Sequence, residues 1–155
     1  MTSLHKWDKS SAGTLYAYWE AKTYTVSFNY NNGTGNTNSV IATYDSVMPT
    51  ISGIPTRTGY IFTGYYDSAN NGTKYYNADL TSAKTWDKTS STTLYAHWAG
   101  VDYSVRFDGN GSTYGNMDNQ AFVYATAQNL NENRFARTGY TFVGWNTEAD
   151  GSGTS

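Results

Sequence analysis

Residues 92–98 read TTLYAHW, and residues 13–19 read GTLYAYW. In the first copy Leu94, Ala96 and Trp98 alternate with Tyr95 and His97; in the second Leu15, Ala17 and Trp19 alternate with Tyr16 and Tyr18. A period of two places successive side chains on opposite faces of a strand. The Leu/Ala/Trp row is therefore predicted to face a core and the Tyr/His row to face away from it. A strand phrase that occurs twice in a short chain calls for a search for repeats before any other motif.

The repeat extends well beyond this phrase. Trp7-Asp8-Lys9 recurs as Trp86-Asp87-Lys88, and YTVSF at 24–28 recurs as YSVRF at 103–107, both at the 79-residue shift that separates Trp19 from Trp98. RTGYIFTGYYD at 57–67 recurs as RTGYTFVGWNT at 137–147 with a shift of 80, so one residue is inserted between the landmarks. From the phase of these matches, residues 1–20 are expected to be the C-terminal strand of a preceding repeat. Residues 21–100 are expected to form a complete repeat, and residues 101–155 a second repeat that lacks its C-terminal strand. The chain reads as a window cut from a tandem array.

Within a unit, Tyr24, Val26 and Phe28 alternate with Thr25 and Ser27, which predicts a half-buried strand. The NYNNGTGN cluster is a turn, because Asn and Gly tolerate positive φ. SVIATYD (39–45) is its partner strand, matched by QAFVY (120–124). VMPTISGIP (47–55) and ATAQNLNENRF (125–135) are the least strand-like pieces, and the latter is predicted to form a short helical turn burying Leu130 and Phe135. RTGYIFTGYY (57–66) is the third strand, with Gly64 at a bulge, and TLYAHW is the fourth. Trp86 is expected to fold over one end of the core. The fold class is thus α+β, predominantly β: tandem small β-grasp (ubiquitin-like) repeats of ββ(α)ββ order. A unit of this size is marginal in stability, so loss of a closing Leu/Trp strand should leave residues 103–155 incompletely folded. Residues 4–19 carry the strand that the second unit lacks, and are expected to close it within the chain or from a neighbouring molecule.

Composition narrows the function classes. The chain has 155 residues, a net charge of −2, 14% charged residues, 15 Tyr and no Cys. Lys and Arg are scattered, which argues against a nucleic-acid footprint. No apolar run approaches the roughly 20 residues of a membrane span, and MTSLHKWDKSS has no hydrophobic signal core. The polar, Tyr/Thr/Asn-rich make-up is that of bacterial exported surface proteins.

The pattern Y-x-V-x-F, an Asn/Gly turn, R-T-G-Y-x-F-x-G-[YW] and T-L-Y-A-x-W resembles the Listeria–Bacteroides repeat, related to the B-repeat of internalin B. Tyr24, Val26, Phe28, Arg57, Thr58, Gly59, Tyr60, Phe62, Gly64, Tyr65, Leu94, Tyr95, Ala96 and Trp98 carry it. In the second unit it runs through Tyr103, Val105, Phe107, Arg137, Thr138, Gly139, Tyr140, Phe142, Gly144 and Trp145. The resemblance implies β-grasp arrays on bacterial secreted or cell-surface proteins, with no catalytic residues to carry over. The absence of an anchoring motif here implies that attachment would come from sequence outside the window.

Candidate chemistry is sparse. The two histidines are His5 and His97, and His97 stands where the sister strand has Tyr18, a poor place for a general base. No G-x-S-x-G elbow accompanies them. DGNGS (108–112) spaces Asp108, Asn110 and Ser112 like the start of a calcium loop, but the twelfth position is Asn119 rather than Glu, so a hairpin turn is the better reading. Asp8 and Asp87 recur with Lys9 and Lys88 and read as a surface corner. No catalytic residue, metal or cofactor is expected. The sharper candidates are rings that could stack on a ligand, Tyr16, Tyr18, Tyr65, Tyr66, Tyr95 and His97, with Tyr75 and Tyr76 adding to them; the competing reading is cross-strand packing. The expected role is a non-enzymatic extracellular spacer or stalk with weak adhesive contacts, and the alternative is a carbohydrate- or host-protein-binding module. Expected partners are other copies of the chain by strand exchange, and a host protein or glycan, with no nucleic acid and no membrane insertion.

Overall fold

The computed structural model describes residues 8–155, so His5 and Trp7 lie outside the described residues. Seven strands are present: β1 (Thr23–Asn29), β2 (Val40–Thr43), β3 (Tyr60–Tyr66), β4 (Lys74–Tyr76), β5 (Thr92–Gly100), β6 (Asp102–Val105) and β7 (Gln120–Val123). The first five form one sheet in the order β2-β1-β5-β3-β4, and β6 pairs with β7 alone. In the large sheet β5 is central, parallel to β1 and antiparallel to β3.

The alternation of β5 sets the inside of this sheet. Leu94 and Ala96 are fully buried with Val26, and Trp98 packs at the margin of the same core, while Tyr95 and His97 are half-buried on the other row. Tyr24 and Phe28 pack on the core, whereas Thr23, Thr25, Ser27 and Asn29 are exposed. The Trp98 indole lies 5.6 Å from the Phe62 ring, and its Nε1 donates to the carbonyls of Tyr30 and Asn31 at 3.1 Å each. Trp86 is fully buried against Tyr75.

The expected helical turn is a correction: no helix occurs among the described residues, which are β throughout their regular structure. In the first unit the crossover from β2 to β3 is irregular and buries Met48, Ile51 and Pro55 over the sheet. Pro49, Gly53 at φ 82° and Pro55 interrupt any helical hydrogen-bond ladder there. In the second unit Leu130 is exposed rather than buried. The Gln120 side chain donates to Asn129 O at 2.8 Å and accepts from Asn131 N at 2.7 Å, which holds that segment extended. Strand β4 is a further element that the strand patterns did not indicate.

Gly64 does form a bulge. The β3–β5 register shifts between Phe62 and Gly64, and Gly64 has φ 137°. A Cβ there would stand 2.4 Å from the Tyr76 carbonyl oxygen. The extra residue reverses the alternation, so Phe62 and Tyr65 both point into the core.

Residues 102–155 repeat the local geometry without the sheet. The turn bond from Gly33 N to Tyr30 O has its counterpart in Ser112 N to Gly109 O, a shift of 79. The Thr34–Thr56 bridge has its counterpart in Tyr114–Ala136, a shift of 80. The inserted residue therefore falls in the hairpin loop, at Ser112–Tyr114. Arg57 over Tyr60 at 3.9 Å is matched by Arg137 over Tyr140 at 4.0 Å. Yet residues 140–146 pair with no strand, and Tyr140, Phe142 and Val143 are exposed.

This contrast is testable at the two bulge glycines. Gly64→Ala should lower stability in urea unfolding by about 1–3 kcal/mol, from backbone strain and the clash with Tyr76. Gly144→Ala, where φ is 158° but a Cβ meets nothing within 4 Å, should lower it by less than Gly64→Ala, since backbone strain remains there without the clash.

Candidate functional site

The candidate rings do not converge on one surface. Tyr65, Tyr75 and Tyr76 are buried, so these three are core rings and not an exposed stacking platform. Phe28 and Phe62 flank Tyr65 at 4.8 and 5.0 Å, and Tyr76 donates through its hydroxyl to Pro49 O at 2.8 Å. Burial pushes the phenols of Tyr65, Tyr75 and Tyr76 well above the ordinary tyrosine value. The reason that Tyr65 turns inward is the Gly64 bulge, which simple alternation along RTGYIFTGYY does not reveal.

Tyr66, Tyr95 and His97 remain half-buried on the first sheet. The Tyr66 and His97 rings stack at 4.0 Å and 16°, and His97 Nε2 lies 2.8 Å from Ser68 O. Lys74 Nζ stands 5.3 Å from the Tyr66 ring centre. These contacts use the ring faces on each other and on the 67–73 loop. Tyr16 and Tyr18 are 88% and 92% exposed, on an N-terminal segment that makes no strand.

The Trp-Asp-Lys corner has a structural role that its exposure pattern concealed. Trp86 fills the core beside Tyr75, whose hydroxyl donates to Asp87 Oδ1. Lys84 Nζ pairs with Asp87 Oδ2 at 2.5 Å, and Lys88 Nζ with Asp67 Oδ2 at 2.8 Å. The bond from Lys84, then that from Tyr75, holds the Asp87 carboxyl below the usual aspartate range. At Asp67 desolvation opposes the shift, but Lys88 and the Thr73 N–H outweigh it and the value is again lowered. The corner thus ties the end of β3, the β4 ring and the loop before β5 together. Spacing alone showed the recurrence of the motif but not this satisfaction of a buried phenol.

The DGNGS loop is an Asx turn. Asp108 Oδ1 accepts from Asn110 N at 2.9 Å, as Asn29 Oδ1 accepts from Asn31 N at 2.8 Å in the first unit. Asp108 also pairs with Arg106 at 2.7 Å. Among the described residues no group of three or more His, Cys, Asp and Glu side chains could hold a metal ion, and no helix is long and apolar enough to cross a membrane.

The comparisons accord with the repeat. The family model of the Listeria-Bacteroides repeat domain matches residues 24–97 and 103–155. Over 142 residues, 90% of this chain, the sequence is 37% identical to a putative membrane protein of Evansella cellulosilytica. It is 33% identical over 110 residues to a putative Gly-rich membrane protein of the same organism. Over 93 residues, 59% of this chain, it is 38% identical to Internalin H of Listeria monocytogenes. The chain spans only 20%, 13% and 15% of these three relatives.

Because the folded Asp87 value is lowered, its contribution to stability is present above the unfolded aspartate pKa of about 3.9 and is lost as pH falls through the folded value. The melting temperature of the native chain should therefore drop as the pH is taken from 5 to below 3. Asp87→Asn should lower it at pH 7 and flatten that acid limb; a limb of unchanged steepness would contradict the assignment.

Proposed function

Since the chain belongs to the Listeria-Bacteroides repeat domain family, we propose that it is a non-enzymatic repeat segment of a bacterial surface protein that acts as a spacer. Residues 21–100 are one repeat, residues 101–155 the body of a second and residues 1–20 the closing strand of another. The central parallel pair β1–β5, with β2 and β3 antiparallel outside it, is the sheet of a β-grasp unit whose helix is replaced by the irregular crossover at 47–55. The names of the relatives, two membrane proteins and an internalin, support a place at the cell surface.

One observation carries the spacer role. The chain enters the first unit at the start of β1 and leaves at the end of β5, and these strands are parallel neighbours in the middle of the sheet. Val26 pairs with Thr92, so Thr23 and Gly100 lie at opposite ends, separated along the strands by about 36 Å at roughly 3.3 Å per residue. Tension applied through the chain therefore loads the β1–β5 hydrogen bonds together, in shear, rather than one at a time. A segment built this way keeps its length under load. The burial of Tyr65, Tyr75 and Tyr76 and the stacking of Tyr66 on His97 support this role over glycan or host-protein binding.

Pulling on single molecules tests it, with cysteines introduced at chosen points of this Cys-free chain. Tension between residues 23 and 100 should release about 230 Å of contour in one step, at a force well above that needed between residues 23 and 43, where the β1–β2 hairpin unzips. Equal forces in the two directions would remove the basis for the spacer role. Saturable micromolar binding on a glycan array or to host protein, lost on Tyr95→Ala, would establish the binding module instead.

A further inference from the structure

We propose that the joint between the two units is stiff, closed by the Tyr124 ring seated on Gly59, so that successive repeats hold a fixed angle. The inference rests on the joint itself and not on the spacer role.

The linker is a single residue. β5 ends at Gly100 and β6 begins at Asp102, which leaves only Val101 between them. Its N–H donates to Gly59 O at 3.0 Å, just before β3, and its carbonyl accepts from Tyr124 N at 2.9 Å, just past β7. Both backbone groups of Val101 are therefore engaged, one with each unit. Relative motion is the ordinary expectation where two units share a small contact. Here rotation about the linker would break a hydrogen bond on one side or the other. The strand ends also touch: a Cβ on Gly100 would stand 2.8 Å from Val123 Cγ1 and 2.9 Å from Tyr124 O.

The seat is built by the turn that enters β3. Tyr60 N donates to Arg57 O at 3.0 Å, and Gly59 has φ 78°. A positive φ at the third position of such a turn suits either Gly or Asn. The ring of Tyr124 narrows the choice to Gly, because a Cβ on residue 59 would lie 2.4 Å from both its Cδ1 and its Cε1. The ring meets Tyr60 edge to face at 5.2 Å and 83°, and the Arg57 guanidinium stands over Tyr60 at 3.9 Å. Tyr103 approaches from the same hairpin as Tyr124, at 6.3 Å. Tyr124 thus lies between rings of both units, and at 40% exposure it belongs to the joint and to neither core.

Both sides of the contact are features of the repeat. Tyr44 N donates to Lys22 O at 2.9 Å, as Tyr124 N does to Val101 O. Gly139 has φ 80° where Gly59 has 78°. In the first unit Tyr44 lies beside the start of β1, whereas Gly59 lies beside the end of β5. A repeat therefore carries a ring at one end and a glycine seat at the other, and the coupling runs between nearest neighbours.

Electron–electron double resonance between two nitroxides tests the joint. The chain has no Cys, so Thr25→Cys and Ser104→Cys, both at exposed positions, place one label on each unit. The labelled chain should give one narrow distance distribution. Tyr124→Ala should abolish the narrow peak and speed exchange of the Val101 amide by about 2- to 10-fold, the worth of one edge-to-face ring pair. Tyr124→Phe should behave as the wild type, because the seat takes the ring. Gly59→Asn keeps a residue that tolerates positive φ but adds the Cβ, and it should broaden the distribution as Tyr124→Ala does. Gly139→Asn, where a Cβ meets nothing within 4 Å, should leave both readouts unchanged. Protection of the β1 and β5 amides reports that each variant stays folded. A distribution already broad in the wild-type chain, a narrow peak that survives Tyr124→Ala, or equal broadening by Gly139→Asn would each overturn the proposal.

Discussion

The structure depends on β5 having a neighbour on each side. Among the described residues it alone pairs with both β1 and β3, and through Leu94, Ala96 and Trp98 it supplies the middle row of the core. Without it, β1 with β2 and β3 with β4 would be two hairpins, each too small to be stable in water. Because β1 and β5 are parallel, their pairing joins residues about 66 positions apart and closes a long loop. The closing strand therefore arrives last in its five-stranded sheet and is needed by the strands before it.

Residues 102–155 show which contacts of the repeat hold without a strand between β6 and residues 140–146. The Asx turn at Asp108, the bridge between Tyr114 and Ala136, the Arg137–Tyr140 stack and the Phe107–Trp145–Phe142 cluster all persist. These are contacts between residues close in sequence or between large rings that attract one another without a ladder. Residues 140–146 pair with no strand among the described residues. Val26 and Phe62 are buried in the first unit while their counterparts Val105 and Phe142 are 38% and 48% exposed, although Phe107 is buried.

The polar groups that recur in the repeat close turns or satisfy buried phenols: Asp87 holds Tyr75 and Lys84, Lys88 holds Asp67, and Asn31 Nδ2 donates to the carbonyls of Ala69 and Ala96. The many tyrosines stand in for the large aliphatic residues that the chain lacks. Their rings fill the volume, and hydroxyls such as that of Tyr76 reach a carbonyl at the margin.

The amino-acid sequence alone determined the repeat, its phase, the turns and the facing of β1 and β5, because these follow from period-two patterns and from Asn and Gly at positive φ. It also marked Gly64 as a bulge. It did not disclose the inward turn of Tyr65, since a bulge reverses the alternation only once the partner strand defines the register. Nor did it reveal β4, whose adjacent Tyr75 and Tyr76 are both buried by packing on different neighbours, Trp86 and Phe28. The helical turn expected over 125–135 failed for a related reason: the Gln120 side chain captures the backbone of Asn129 and Asn131. Only tertiary structure decides such outcomes, because residues far along the chain compete with local preference for the same hydrogen-bonding groups.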